Sequence, residues 1–199
     1  MARARDKTAQ IGLWDSEVSL PKHDEICLWV YKHAEEVLRT LRPQLFRPDW
    51  LDADFAHGAS SEAISTFRSN TERATPVIVN KALEYTLTPR QEGRGARNWR
   101  PPVGYGDVLL VYSAPFPNPQ YNHRDAISSF DLVQVTHELL IEVKTELPTL
   151  GELLRQLNLY ATAFQGRQAV VAPDDRYADI LREHGFGFMR FDPAAMGSQ

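Results

Sequence analysis

Two charged residues, Glu142 and Lys144, interrupt the otherwise apolar run 139–145, LLIEVKT. The run predicts a short buried strand. Because side chains alternate along a strand, the two charges share one face, whereas Ile141 and Val143 share the other. A carboxylate and an ammonium group are costly to desolvate, so such a pair is kept either for chemistry or as a structural ion pair. On these residues alone the structural ion pair is the simpler interpretation.

Hydrophobic periodicity predicts the helices around this strand. One helix is expected over residues 24–41, ending before Pro43, and a short one near residues 63–68. A third begins at a capping box formed by Thr149 and Glu152. A fourth is expected over residues 176–184.

The strands and loops follow from the same periodicity and from turn residues. The segment 113–129 holds three prolines and predicts a long loop. Strands are expected at residues 77–79 and 83–87 (or as one bent strand), 107–112, 130–135, 168–171 and 186–191. With the helices, this order predicts an α/β fold with a mixed central sheet flanked by helices.

Length and charge limit the possibilities. A chain of 199 residues suits one domain, expected over residues 21–199 after an irregular N-terminal arm at residues 1–20. No apolar run approaches a membrane span, and no apolar signal core follows the charged N-terminus. A cytoplasmic protein without a membrane partner is therefore expected. The formal net charge of −4 gives no global sign of nucleic-acid binding, so such binding requires a local basic patch.

Several familiar chemistries find no support in the sequence. The chain has a single cysteine, Cys27, which excludes an intrachain disulfide. It lies among apolar residues of a predicted helix and is expected to be buried. The six histidines are scattered, with no His-x-x-x-His pair and no cysteine partner, so no zinc site is expected. No Gly-x-Ser-x-Gly elbow, Walker loop or Gly-x-Gly-x-x-Gly fingerprint occurs.

Gln156 and Tyr160 lie four residues apart on the helix that follows the Glu142 strand, so they project from one flank. The connection 145–148 is short, which brings the start of that helix close to the end of the strand. An amide on this flank can orient Lys144 or hold a phosphate or a water molecule. The simpler interpretation is that Gln156 lies at the core boundary and Tyr160 in the core.

Three motifs therefore occur in order along the chain, each with the element type that carries it. They read Gly104-Tyr-Gly-Asp107, Glu142-Val-Lys144 and Gln156-Leu-Asn-Leu-Tyr160. Together they resemble the PD-(D/E)XK nuclease superfamily and lean toward its RecB-like branch. The resemblance covers roughly residues 83–191. It implies a restriction-endonuclease-like fold and Mg²⁺- or Mn²⁺-dependent hydrolysis of nucleic acid, with DNA favoured over RNA.

The resemblance also implies roles for individual residues. Asp107 and Glu142 would hold the metal, with the Val143 backbone carbonyl as a further ligand, because hard cations prefer oxygen. Lys144 would position the attacking water and stabilise charge on the phosphate, and Gln156 would assist. Many small nucleases dimerise to cut two strands, so a homodimer is compatible. The alternative is a non-catalytic nucleic-acid-binding or interaction module that keeps the nuclease fold.

Two assignments stay open at this point. Asp131 begins another apolar segment only eleven residues before Glu142, and a hairpin turning at residues 136–138 would bring it beside Glu142. Asp107 is favoured because it follows a Gly-x-Gly turn and begins an apolar strand. Glu25 or Glu36 of the first helix would add a carboxylate, although solvated helix charge explains both.

A basic loop over residues 90–100 is the best candidate for a nucleic-acid contact. It holds four arginines and Trp99. Such residues clamp phosphates and stack on bases. A solvated loop is the competing interpretation. The candidate nucleic-acid-binding residues are Arg94, Arg97 and Arg100.

Overall fold

The computed structural model describes residues 22–46, 61, 64–65, 69, 75–89, 101–121 and 127–192. The predicted arm at residues 1–20, the basic loop at residues 90–100 and most of the predicted short helix near residue 63 lie outside this range. Within the described residues, no helix is long and apolar enough to cross a membrane.

The described strands form one five-stranded mixed sheet in the order β1-β2-β3-β4-β5. The first three strands pair antiparallel, and β3, β4 and β5 pair parallel. Their bounds are β1 Val77–Leu87, β2 Gly104–Tyr121, β3 Ile127–Val143, β4 Arg167–Ala172 and β5 Gly187–Arg190.

Helices cover both faces of this sheet. The helices α1 and α2 pack on one face, while α3 and α4 pack on the other. Each parallel connection contains one helix, α3 between β3 and β4 and α4 between β4 and β5. The predicted mixed sheet flanked by helices is therefore confirmed. The bounds are α1 Lys22–Lys32, α2 Ala34–Leu41, a 3₁₀ turn Pro43–Leu45, α3 Leu150–Ala161 and α4 Ala178–Glu183.

The single helix predicted over residues 24–41 is wrong, because the structure breaks it at His33. This residue leaves the helical region, with φ −99° and ψ 32°. Its Nδ1 lies 2.9 Å from the Trp29 carbonyl oxygen, and its ring stacks on the indole at 4.6 Å. Both helices bury apolar residues in the same core, so hydrophobic periodicity continues across the break and does not reveal it.

The long loop predicted over residues 113–129 is also wrong, because β2 continues to Tyr121 and pairs with β3 in a long hairpin. The pairing of β2 with β1 ends at Ser113, so one edge of β2 is unpaired beyond that point. Alternate backbone N–H groups face the same edge of a strand. The alternating prolines therefore remove donors from the free edge and leave the bonds to β3 intact. They are Pro115, Pro117 and Pro119.

Strand β1 is one bent strand, as one of the two expectations had it. Its register shifts between Ile78 and Asn80, which marks a bulge. Glu84 adopts a positive φ of 52° within the same strand.

Candidate active site

The sheet splits between its two longest strands, β2 and β3. Their pairing ends at Val108 opposite Ile141, whereas β2 remains paired with β1 as far as Gly104 and β3 with β4 as far as Val143. Asp107 and Glu142 are therefore the first residues beyond the last β2–β3 pair.

Asp107 is fixed across this split by the backbone of β3. The Val143 N–H donates a hydrogen bond to its Oδ2 at 2.7 Å. Gly106, the residue before Asp107, lies so close to β3 that a Cβ there would overlap the Leu140 side chain. A larger residue at position 106 would force the buried Leu140 side chain or the backbone of β2 to shift.

Glu142 is the buried acid of the site, with only 5% of its surface exposed. Its Oε1 accepts hydrogen bonds from Lys144 Nζ and from Gln156 Nε2, each at 2.6 Å. Within the described part of the chain, its buried Oε2 has no hydrogen-bond partner. Burial raises the pKa of Glu142, and the nearby charge of Asp107 raises it further, while Lys144 and Gln156 lower it. A positive charge beside Glu142 would therefore stabilise its ionised form.

Helix α3 brings the side-chain amide of Gln156 to the Glu142 carboxylate. Its capping box is formed, with the Thr149 hydroxyl accepting from the Glu152 N–H and the Glu152 side chain accepting from the Thr149 N–H. Gln156 Nε2 also lies 2.8 Å from the Tyr160 hydroxyl, which donates to the Tyr105 carbonyl at 2.9 Å. Tyr160 thus links β2 to Gln156 and fixes the direction of the amide.

The structure brings together four residues that the sequence placed in one site, and it separates a fifth. Asp107, Glu142, Lys144 and Gln156 form one hydrogen-bonded or electrostatically coupled cluster. Asp131 instead pairs with Asn118 in the hairpin. Since it lies eleven positions before Glu142 on the continuous strand β3, about 35 Å separates them. The hairpin turn at residues 136–138, on which the Asp131 alternative depended, is absent because β3 continues through these residues.

The other assignments have mixed outcomes. Val143 contributes its N–H to the site, and the role of its carbonyl as a ligand stays a prediction. Glu36 is exposed on α2, apart from the helix that approaches Asp107. That helix is α1, and the side chain it brings to Asp107 is His23.

Sequence reasoning missed His23 as a partner of Cys27 and Asp107. The His23 Nε2 lies 3.4 Å from Asp107 Oδ2, and each ring nitrogen lies 3.8 Å from Cys27 Sγ. The Asp107 carboxylate is the main cause that raises the pKa of His23, to about 11. Burial raises the pKa of the Cys27 thiol. The signal was present as a His-x-x-x-Cys spacing, one helical turn, so the statement that the histidines have no cysteine partner was wrong.

Comparison with known proteins gives no match: no protein-family model, no curated protein and no solved structure corresponds to this chain.

Proposed function

We propose that this chain is a Mg²⁺- or Mn²⁺-dependent nuclease with a restriction-endonuclease-like fold, hydrolysing phosphodiester bonds of nucleic acid, with DNA as the favoured substrate. One observation carries the proposal. The acid that lies beside Lys144 and Gln156 at the split of the sheet has a fully buried oxygen, Glu142 Oε2, without a hydrogen-bond partner among the described residues. A purely structural role for the ion pair does not account for this oxygen, because a buried acceptor without a hydrogen bond lowers stability.

The donor set suits a hard cation. Asp107 and Glu142 supply carboxylate oxygens on the two diverging strands, and Mg²⁺ and Mn²⁺ prefer such ligands. The raised pKa of Glu142 reflects burial and the neighbouring Asp107 charge, both of which a cation would offset. A divalent cation held there would neutralise charge on the phosphodiester and lower the pKa of a bound water.

Lys144 has the position needed to handle a water molecule at the mouth of the site. Its side chain is 21% exposed, whereas that of Glu142 is 6% exposed. The Lys144 side chain therefore contacts the buried carboxylate and also reaches solvent. It can hold an attacking water by hydrogen bonding and stabilise negative charge that develops on the phosphate.

Gln156 orients this arrangement from the helix. Its amide donates to the same Glu142 oxygen that Lys144 contacts, and the Tyr160 hydroxyl holds the amide in place. Binding of the nucleic acid itself is assigned to the arginines of the basic loop at residues 90–100. This assignment stays a prediction. The split of the sheet thus supplies the chemistry, and the loop supplies charge for a polyanion.

The test is a cleavage assay on the full chain. Labelled single- and double-stranded DNA and RNA are incubated with Mg²⁺, Mn²⁺ or chelator. The proposal expects cleavage of at least one DNA substrate with metal, none with chelator, and a loss of about 10²–10³ in rate for Lys144→Ala. The exposed Arg155→Ala on α3 is the charge-matched control.

Two results would remove the proposal. Binding of nucleic acid without cleavage under every metal condition would favour the non-catalytic module. Cleavage by Lys144→Ala at the wild-type rate would show that the activity does not come from this site.

A further inference from the structure

The first turn of α1 approaches the split of the sheet with a second set of ligand-type atoms. His23 Nε2, Cys27 Sγ and a carboxylate oxygen of Asp107 all lie within 4.8 Å of one another. The nitrogen lies 3.4 Å from the Asp107 oxygen and 3.8 Å from the sulfur. A tetrahedral zinc ion, with its usual bond lengths, separates its N and O ligands by about 3.4 Å and its N and S ligands by about 3.6 Å. The nitrogen–oxygen and nitrogen–sulfur distances therefore already lie near those of a zinc ligand set, and the sulfur lies within 4.8 Å of the carboxylate oxygen.

A second observation concerns the other nitrogen of the same ring. His23 Nδ1 lies 3.1 Å from Asp24 Oδ1. Histidine ligands of metals commonly donate their second N–H to a carboxylate, which fixes the tautomer and the ring orientation. Cys27 Sγ lies 3.8 Å from both ring nitrogens, so the Asp24 contact at Nδ1 and the position of Asp107 beside Nε2 together select Nε2 as the ligand atom.

The remaining two ligands are also held in place. The Val143 N–H donates to Asp107 Oδ2, and Cys27 is only 7% exposed within the core between α1 and the sheet. A buried sulfur held one helical turn from a histidine can contact a cation without a large rearrangement. It also favours borderline and soft cations over Mg²⁺, which binds oxygen.

We propose that His23, Cys27 and Asp107 form a binding site for a Zn²⁺-class transition-metal ion, with Asp24 as the carboxylate that orients His23 and with a fourth position open to water. Binding would displace the protons of the imidazolium and the thiol, as is general for metal sites built from these residues. The site is distinct from the oxygen site at Glu142, but the two share Asp107.

Sharing Asp107 has a regulatory consequence, which rests on the proposed nuclease function. A Zn²⁺ ion bound to Cys27 and His23 would take up the carboxylate that the Mg²⁺ site also needs. Micromolar Zn²⁺ should therefore slow Mg²⁺-dependent cleavage. The ratio of rates with and without Zn²⁺, measured within each variant, should move toward one in Cys27→Ser.

The binding site itself is tested without any activity measurement, by titrating the reduced full-length protein with Co²⁺. A thiolate bound to Co²⁺ gives a charge-transfer absorption in the near ultraviolet. The chain has one cysteine, so this band reports on Cys27 alone. We expect a band that saturates at one Co²⁺ per chain and disappears when Zn²⁺ is added. Asp24→Asn should weaken Co²⁺ binding about 10–100-fold.

The wild-type titration decides the proposal even if a substituted core cysteine impairs folding. Absence of the band in folded protein, or saturation at one Co²⁺ per two chains, would overturn the site. A band of unchanged affinity in His23→Gln would remove His23 from the ligand set and overturn it as well. Failure of the cleavage assay would leave the Co²⁺ result standing, so the two proposals fail separately.

Discussion

Substitution of the buried Glu142 tests whether its carboxyl group serves the reaction or only stabilises the fold. Glu142→Gln keeps the shape of the side chain and removes the charge. Its amide oxygen can still accept from Lys144 and Gln156. Its NH₂ group takes the place of Oε2, the oxygen that has no hydrogen-bond partner among the described residues. We expect the free energy of unfolding at neutral pH to be equal to or higher than that of the wild type.

The sign follows from the pKa of Glu142, which burial and the Asp107 charge raise. Below its ordinary value of 4.5, the acid is protonated in both folded and unfolded chains, and the variant has no advantage. As the pH rises toward the raised pKa, the unfolded chain ionises first, and the wild type loses stability relative to the variant. A tenfold difference between the folded and unfolded acid dissociation constants corresponds to about 1.4 kcal/mol.

Activity should change in the opposite direction. Loss of one transition-state contact of this kind costs about 10²–10³ in rate, or about 2.7–4 kcal/mol. Lys144→Met provides the contrast, because it leaves the buried carboxylate without its cation and removes a charged hydrogen bond worth about 1.5–3 kcal/mol, less whatever the partial exposure of Lys144 screens. In Glu142→Gln/Lys144→Met the stability loss should be smaller than in Lys144→Met alone.

Urea unfolding at pH 7 and pH 4, with cleavage rates of the same preparations, measures these effects. Glu138→Gln is the matched control, since Glu138 is an exposed acid on the same strand. If Glu142→Gln loses more than about 1.5 kcal/mol at pH 7 and still cleaves like the wild type, the Glu142–Lys144 pair is structural and the reasoning fails.

Three further predictions concern other residues. Gln156→Ala should lower the turnover number more than the stability, whereas Asn158→Ala on the exposed face of α3 should change neither; a loss of melting temperature with normal turnover per folded molecule would make Gln156 structural. His23→Gln should remove stabilisation that is fully present below pH 6.5 and fades as the pH rises toward the raised pKa of His23; a pH-independent difference in urea unfolding would refute the ion pair with Asp107. Alanine substitution of the basic loop should weaken nucleic-acid binding and flatten its salt dependence, and an unchanged salt slope would exclude this loop from the binding surface. The substituted loop residues are Arg94, Arg97 and Arg100.

The sequence predicted the parts of the site that depend on short-range rules. Strand alternation placed Glu142 and Lys144 on one face, and the structure confirms this by their 2.6 Å contact. The short connection after β3 placed Gln156 near the strand end, and its amide does reach Glu142. Asp107 followed from the Gly-x-Gly motif, although the predicted turn is wrong, because both glycines lie within strand β2. A Cβ on the second glycine, Gly106, would overlap the Leu140 side chain.

The parts that were missed depend on contacts between distant segments. The sequence predicts a loop beyond Ser113 because proline normally ends a strand. Proline is tolerated there because β2 has a free edge beyond Ser113, which only the strand register reveals. The break at His33 coincides with a contact to Trp29 and leaves the hydrophobic pattern unchanged. The meeting of His23 with Asp107 depends on how α1 packs against the end of β2, which periodicity does not specify.

The most direct test of the proposed metal centre is Mg²⁺ binding, measured by calorimetry on three proteins: the wild type, Asp107→Asn and Asp131→Asn. The two variants remove the same charge from two strand residues, of which only Asp107 lies at the split beside Glu142. We predict that Asp107→Asn abolishes Mg²⁺ binding, because a hard cation at the split loses one of its two carboxylates, while Asp131→Asn stays within a few fold of the wild type. Wild-type affinity in Asp107→Asn, or loss of binding in Asp131→Asn, would contradict the placement of the metal centre between β2 and β3.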